Sequence, residues 1–315
     1  MENIIPPIDR AILERELSDE LFVRKTNFGD NKIYVLNAHN APNVMQEIGR
    51  LRELTFRRAG GGTGKAVDID EFDDIEKPYQ QLIVWDPSVK EIIGGYRYIH
   101  GKNAHFDENG IPFIATTELF RFSERFLTEF IPYTIELGRS FVQPDYQPMV
   151  NSRKGLFSLD NLWDGLGALI YDNPDIHYFF GKVTMYPHFS QPARDIILYF
   201  LHKYFPDKDD LVKPIIPLEI ETDYDELERI FNGGNYGADY KLLIQTLRNN
   251  FNENIPPLVN AYMNLTSTMR NFGTAINPGF GSVQETGILV TIKDIYDSKK
   301  ERHLNSYRKE LSNDN

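Results

Sequence analysis

The chain is 315 residues long, 41% hydrophobic and 25% charged, with no cysteine. That length supports one large domain or two small ones around a sizeable core, and the missing cysteines exclude disulfides, thiol nucleophiles, Cys-ligated zinc and iron–sulfur clusters and fit a reducing compartment. The net charge of −12, from 34 basic and 46 acidic residues, argues against a general nucleic-acid binder, which carries a basic excess.

Met1 to Pro7 has no basic start and no long apolar run, so no signal peptide is expected. No apolar stretch reaches the length of a membrane span. The expectation is a cytoplasmic protein able to touch a membrane surface. Apolar residues at helical spacing predict a first helix over Pro7 to Phe22. A short strand follows at Lys32 to Asn37, then a helix over Asn43 to Arg58 that ends in Ala59-Gly60-Gly61-Gly62-Thr63-Gly64, a mobile loop by composition. Asp68 to Glu76 is acidic. Gln81 to Trp85 and Glu91 to His100 form a predicted hairpin around Asp86-Pro87-Ser88.

Thr116 to Phe130 reads as a helix, and Tyr133 to Val142 as a strand. Helices at Leu159 to Tyr171 and Gln191 to Phe205 flank a strand at His177 to Thr184. Leu211 to Asn254 holds strand and helix patches, Pro256 to Phe272 a helix, and Ala275 to Ile292 two strands joined through Gly279-Phe280-Gly281. The charged tail from Asp294 to Asn315 reads as helical. With no internal repeat and no clear linker, this order predicts one α/β domain over 1–315. Its mixed central sheet has a core at about 30–292 and is flanked by helices, with extra N- and C-terminal helices.

Several motifs dissolve on inspection. Gly60 to Lys65 resembles a phosphate loop, but Ala59 stands where its first Gly belongs, Ala66 follows Lys65, and a helix rather than a strand precedes it; a basic-ended flap is expected instead. The acidic run Asp68, Asp70, Asp73, Asp74 and Glu76 lacks the glycine and alternating oxygen ligands of a calcium loop, and alone it reads as a solvated loop. The seven histidines are dispersed, and no Gly-x-Ser-x-Gly elbow exists. No metal is expected.

The stretch Tyr133-Thr134-Ile135-Glu136-Leu137-Gly138-Arg139-Ser140-Phe141-Val142 is different. It is an apolar strand that carries an acid and a base three residues apart, and buried charges need partners and a reason. Read in order, Arg52, Phe56, Asp70, Asp73, Arg97, Glu136 and Arg139 resemble the charged set of the acyl-homoserine-lactone synthases. They resemble more closely the hemolysin-like family that includes the ornithine-lipid and glycine-lipid N-acyltransferases. Glu136-Leu137-Gly138-Arg139-Ser140 with Pro144-Asp145-Tyr146, and later Pro256-Pro257-Leu258, Ala261-Tyr262, Phe272-Gly273 and Asn277-Pro278, are similar to that family's signatures. The resemblance runs from about Arg52 to Ile292.

It implies a GNAT-like fold, in which a central strand splays from its neighbour and the donor's phosphopantetheine arm pairs with the free edge. Here that strand would be Ile135 to Val142. Phe141 and Val142 would meet the arm, and Arg153, Lys154 and Gly155 would seat its phosphate at a helix start. That loop is poorer in glycine than the usual GNAT loop, which favours acyl carrier protein over coenzyme A as donor; no cofactor is expected to be tightly bound. Arg57, Arg58, Lys65, Arg153 and Lys154 are candidate docking cations for an acidic carrier protein.

The implied reaction moves a long 3-hydroxyacyl chain to the α-amino group of glycine or ornithine, giving a lyso-aminolipid. Glycine is preferred, because ornithine needs a further acidic partner for its side-chain amine. Glu136 is the candidate base, acting directly or through water, since burial makes a carboxylate more willing to accept a proton. Its other reading is a fixed partner of Arg139 or Arg97. Arg52, Asp70, Asp73, Arg97 and Arg139 would form a charge network that pins the N-terminal helix and flap over the acceptor pocket, or that itself binds the amino acid's carboxylate through one Arg and its ammonium through one Asp, and Tyr186 or His188 would protonate the leaving thiol. Phe56, Trp85, Phe120, Phe122, Phe141 and Phe157 would line an acyl tunnel or serve as plain core. Two alternatives stay open: a coenzyme A-dependent acetyltransferase and a non-catalytic acyl-carrier or lipid-binding protein.

Overall fold

The computed structural model describes residues 1–147 and 157–313. Helix α1 (Arg10–Glu16) is shorter than its apolar spacing predicts. Leu17 closes it with an N–H on the Leu13 carbonyl at 3.1 Å, and after one turn at Asp19–Leu21 the chain extends into β1 (Phe22–Lys25), an unpredicted edge strand paired with β2 (Lys32–Leu36). Helix α2 (Pro42–Arg58) starts on a proline whose absent N–H is not needed there, and it buries Val44, Ile48, Leu51, Arg52 and Phe56. The acidic run is no solvated loop: it contains α3 (Glu71–Asp74), closed by a reciprocal Asp70–Asp73 capping box, and Asp68 and Asp73 are fully buried.

Strands β3 (Gln80–Asp86) and β4 (Glu91–His100) form the predicted hairpin, whose turn is closed by the Asp86 carboxylate on the Ser88 N–H. The predicted helix at Thr116 to Phe130 is absent. A 3₁₀ turn at Ala115–Glu118 leads into β5 (Phe120–Phe122), which pairs with β8 (Val212–Pro214), and a π turn at Phe126–Phe130 follows. Its aromatic residues pack as ring pairs rather than as a helical stripe, Phe126 lying 5.1 Å from Phe180.

Strand β6 (Thr134–Val142) then precedes α4 (Ser158–Asp172), β7 (Tyr178–Met185), α5 (Gln191–Tyr204), α6 (Tyr224–Ile230) and α7 (Tyr236–Phe251). Helix α8 (Pro257–Met263) stops well before Phe272, because Thr266 turns the chain by accepting from the Thr268 N–H at 3.1 Å. Strands β9 (Arg270–Asn277) and β10 (Val283–Thr291) and helix α9 (Asp297–Asn313) complete the chain.

The mixed α/β sandwich is as expected. Eight strands run in the order β1-β2-β3-β4-β6-β7-β10-β9, with every neighbouring pair antiparallel except β6 and β7. One face packs under α4, α5 and α8 through residues such as Leu162, Ile197, Val259, Phe179 and Val183. The other carries α2 over β3 and the β5 segment over β7, where Phe120, Phe126 and Phe180 cluster. Aliphatic and aromatic strand residues alternate between these two faces, as a two-residue side-chain period requires. No helix among the described residues is long and apolar enough to cross a membrane.

Candidate active site

The parallel ladder between β6 and β7 runs from Thr134↔Tyr178 to Leu137↔Gly181 and stops, although both strands continue to Val142 and Met185. Gly181 permits the last approach: a Cβ there would lie 2.5 Å from the Leu137 carbonyl oxygen. Beyond it the strands part. On the other side β6 stays paired with β4, but Arg139 and Ser140 together face Tyr96 alone, between the pairs Gly95↔Phe141 and Arg97↔Gly138. This bulge holds Arg139 at φ 51°, a left-handed conformation that costs a non-glycine residue about 1–2 kcal/mol.

A cavity fills the opening and is different on its two faces. Under α4 and α8 it is apolar, lined by Leu162, Trp163, Leu166, Leu258, Tyr262 and Tyr96. On the opposite face it is lined by Arg97, Glu136, Arg139, Lys182, Thr184 and Glu285, with Phe56 and Phe280 beside Arg139. The buried Tyr96 hydroxyl has no hydrogen-bond partner among the described residues.

The structure brings together five of the six charged residues singled out in the sequence, all but Glu136, and adds Asp68. Arg52 donates to Asp68 at 3.1 Å, to Asp73 at 3.2 Å and to Gln81 at 3.4 Å. Arg97 donates to Asp70 at 2.5 Å and to Asp73 at 3.1 Å, with its guanidinium 5.0 Å from the Tyr79 ring. Arg139 lies 2.9 Å from Asp68 and 3.4 Å from Asp70, and 4.2 Å from the Phe280 ring. Three guanidinium groups thus meet three carboxylates. Burial opposes the charges of Arg52, Arg97, Asp68 and Asp73, yet the opposite charges win. Arg52 and Arg97 are held above the ordinary arginine value by their aspartates, and Asp68 and Asp73 below the ordinary carboxylate value by their arginines.

The sign of the linkage follows. A depressed native pKa stabilises the fold above the unfolded carboxylate value, near 3.8, and that stability drains as pH falls below it toward the native values. Melting temperature measured from pH 6 to pH 2 should therefore drop below about pH 4, and Asp73→Asn should begin from a lower plateau and flatten the slope.

Glu136 does not pair with Arg97 or Arg139. The capping aspartates draw Arg97 away, and the bulge turns Arg139 toward Asp68. Glu136 accepts instead from the Tyr79 hydroxyl and, at 2.8 Å, from the Thr116 N–H, while Ala115 N–H donates to the Tyr79 oxygen at 3.0 Å. Burial, and then the Glu136 carboxylate, push the Tyr79 hydroxyl well above its ordinary pKa, so it is a fixed donor.

Other sequence expectations fall differently. The Gly60 to Gly64 loop is pinned rather than free. Glu53 of α2 accepts from Thr63 N–H at 2.9 Å, Thr63 hydroxyl at 2.8 Å and Gly64 N–H at 2.8 Å, so a carboxylate already occupies the amides that a phosphate would need. Arg57 is spent on Glu53 and on the Glu2 and Lys65 carbonyls, whereas Arg58 and Lys65 are exposed.

Of the six aromatic residues proposed for a tunnel, Phe56 alone lines the cavity. Trp85 and Phe141 pack with α2, Phe120 and Phe122 with Phe126, and Phe157 stacks on Phe28 at 4.8 Å. Strand alternation had sent these rings to faces that sequence spacing alone did not distinguish. Tyr186 and His188 stack on each other beside Gly60 and Gly61, outside the cavity lining, and burial followed by Glu285 pushes the Tyr186 hydroxyl up to about 12. Val142 is the last β6 residue, opposite Gly94. Arg153, Lys154 and Gly155 lie outside the described residues.

Sequence reasoning missed Tyr79, Lys182 and Glu285. The signal that flagged Glu136, a lone charge in an apolar strand, was also present in Phe179-Phe180-Gly181-Lys182-Val183 and in Val283-Gln284-Glu285-Thr286.

A central ladder that opens into a two-faced cleft belongs to the GNAT architecture, and the acetyltransferase (GNAT) domain family matches residues 51–152; by fold and site the protein is a GNAT-type acyltransferase. Over 310 residues it is 56% identical to a glycine N(alpha)-acyltransferase of Phocaeicola vulgatus, covering 98% of this chain and 95% of the relative. It is 53% identical over 307 residues to the protein of the same name from Bacteroides thetaiotaomicron, covering 98% and 91%. The chain belongs to this family of N-acyltransferases, and the resemblance drawn from its ordered charges is borne out. Among solved structures, the coenzyme A-dependent acyl-homoserine lactone synthase BjaI with SAM and isopentyl-CoA covers 89% of each chain at 12% identity, with a TM-score of 0.37.

Proposed function

We propose that the protein moves a long 3-hydroxyacyl chain from the phosphopantetheine arm of acyl carrier protein to the α-amino group of glycine. The observation that carries this reading is the division of the cleft: charged groups on one face of the open sheet and an apolar chamber on the other, joined where β6 leaves β7. An acetyl group would leave that chamber empty, which favours a long-chain donor. Both relatives are named for glycine, and glycine needs no partner for a side chain.

In this reading the arm lies along the free edge of β6, and main-chain N–H groups near Phe141 receive the oxyanion. The glycine ammonium loses a proton to Glu136, directly or through water. Its nitrogen attacks the thioester carbon, a C–N bond forms, the C–S bond breaks, and the second proton that the nitrogen sheds passes to the departing sulfur, leaving an amide and a free thiol. Arg52, Arg97, Arg139 and their aspartates hold the wall of the site. Arg58, Lys65, Arg153 and Lys154 are the docking cations for an acidic carrier. The unpartnered Tyr96 hydroxyl is the candidate partner for a polar substituent on the chain.

Purified protein mixed with 3-hydroxyacyl carrier protein and a pool of amino acids should yield N-acylglycine by mass spectrometry. Product from coenzyme A thioesters alone would move the donor assignment, and product on ornithine alone would move the acceptor. Tyr96→Phe should lose about 5–10-fold in preference for hydroxylated over plain acyl chains, the worth of one hydrogen bond; an unchanged ratio would remove Tyr96 from recognition.

A further inference from the structure

Lys182 and Glu285 form an ion pair of 2.8 Å with side chains 10% and 4% exposed, and both line the cleft. They sit diagonally on one face of the sheet, because Glu285 lies opposite Thr184 and Gly287 opposite Lys182 in the β7–β10 ladder. Lys182 is the first β7 residue beyond the last β6–β7 pair. The pair is incompletely satisfied. Lys182 also donates to the Ala115 carbonyl at 3.3 Å, and the Glu285 Oε2 atom, although close to the ammonium, receives no well-directed hydrogen bond. Buried ion pairs stabilise folds little compared with apolar packing, and this one shares its face of β7 with the buried Phe180, two residues before Lys182. Stability therefore does not account for it.

We infer that Lys182 and Glu285 are the seat of the amino-acid acceptor, Lys182 taking the carboxylate and Glu285 the α-ammonium. The assignment rests on the amino-acid N-acyltransferase reading above. An amino acid arrives as a zwitterion, neutral overall but with two charges separated by one carbon. Inserted between Lys182 and Glu285, it exchanges one buried ion pair for two and leaves no net charge uncompensated. Its nitrogen is then held on the sheet face that also carries Glu136, in the same cleft. Glu285 and Lys182 bind and orient; the proton passes to Glu136 as above.

The test compares glycine with glycinamide, which keeps the amine and lacks the carboxylate, at a saturating long-chain acyl donor. Lys182→Met should raise the KM for glycine about 30-fold or more while changing that for glycinamide little, so the preference between them collapses. Glu285→Gln should raise both KM values together, because both acceptors carry the ammonium. The double variant Lys182→Met/Glu285→Met leaves no unpaired buried charge; it should fold, keep its KM for the donor and fail to saturate with glycine. A wild-type enzyme that acylates no amino acid would overturn the acceptor reading as a whole. A wild-type enzyme active on glycine, with both single variants keeping the glycine-to-glycinamide ratio and both KM values within twofold, would overturn this seat alone.

Discussion

Replacing Glu136 by Gln should lower turnover by about 10²–10⁴-fold, the usual worth of a positioned general base, while the affinity for an acyl donor stays unchanged. Gln is the informative choice. Glu136 is buried and accepts from both the Tyr79 hydroxyl and the Thr116 N–H, so Ala would leave two buried donors unsatisfied and confound chemistry with stability. Gln keeps an acceptor for the Thr116 N–H, and its amide N–H₂ can donate to the Tyr79 oxygen if that hydroxyl turns away, so one buried donor rather than two loses its partner. A single-turnover assay with preloaded donor reads the chemical step directly. Turnover within tenfold of wild type, with the fold intact, would remove Glu136 from the proton path and leave it as the strut between β6, Tyr79 and the turn at Ala115–Glu118.

Replacing Arg52 by Met should destabilise the fold by about 3–5 kcal/mol, because one cation is withdrawn from a buried cluster whose anions remain. Asp68 and Asp73 are both fully buried, and each loses one of its arginines. The melting temperature should fall on the order of 10 °C. Asp73→Asn added to Arg52→Met restores the charge balance of the cluster and should recover part of that loss. An Arg52→Met protein that melts with the wild type would mean that solvent reaches the cluster and screens it. Activity is expected to fall as well, since α2 and α3 are tied to the β4–β6 bulge through these same aspartates.

Much of this was legible where a strand broke its own rule. Glu136, Arg139 and Arg97 stand out in the sequence as charges among apolar neighbours, and the β3–β4 hairpin and the β9–β10 pair announce themselves by alternation and turn residues. Arg52, Asp70 and Asp73 could be joined to them only by their order along the chain. The partners could not be read at all. That Glu136 would answer to Tyr79 and Thr116, rather than to an arginine, depends on a bulge at Arg139 and on the turn at Ala115–Glu118, where helix was expected from Thr116 onward. Phe120 to Phe130 misled for a related reason: closely spaced aromatic residues satisfy a helical and an extended period alike, and only the pairing of β5 with β8 separates them. The glycine loop misled by composition, since nothing local announces that Glu53, a turn and a half back in α2, takes its amides.

The sheet has a mechanical reading as well. β1, β2, β3, β4 and β6 form one continuous antiparallel arm, and β7, β10 and β9 another. Within the sheet the two are welded over Thr134–Leu137 and Tyr178–Gly181 and free beyond, like tongs joined at the pivot. Arg97, Glu136 and Arg139 ride on one arm, Lys182 and Glu285 on the other. The span across the site is then set by the stiffness of a short weld, and any ligand that grips both arms acts on it as a torque.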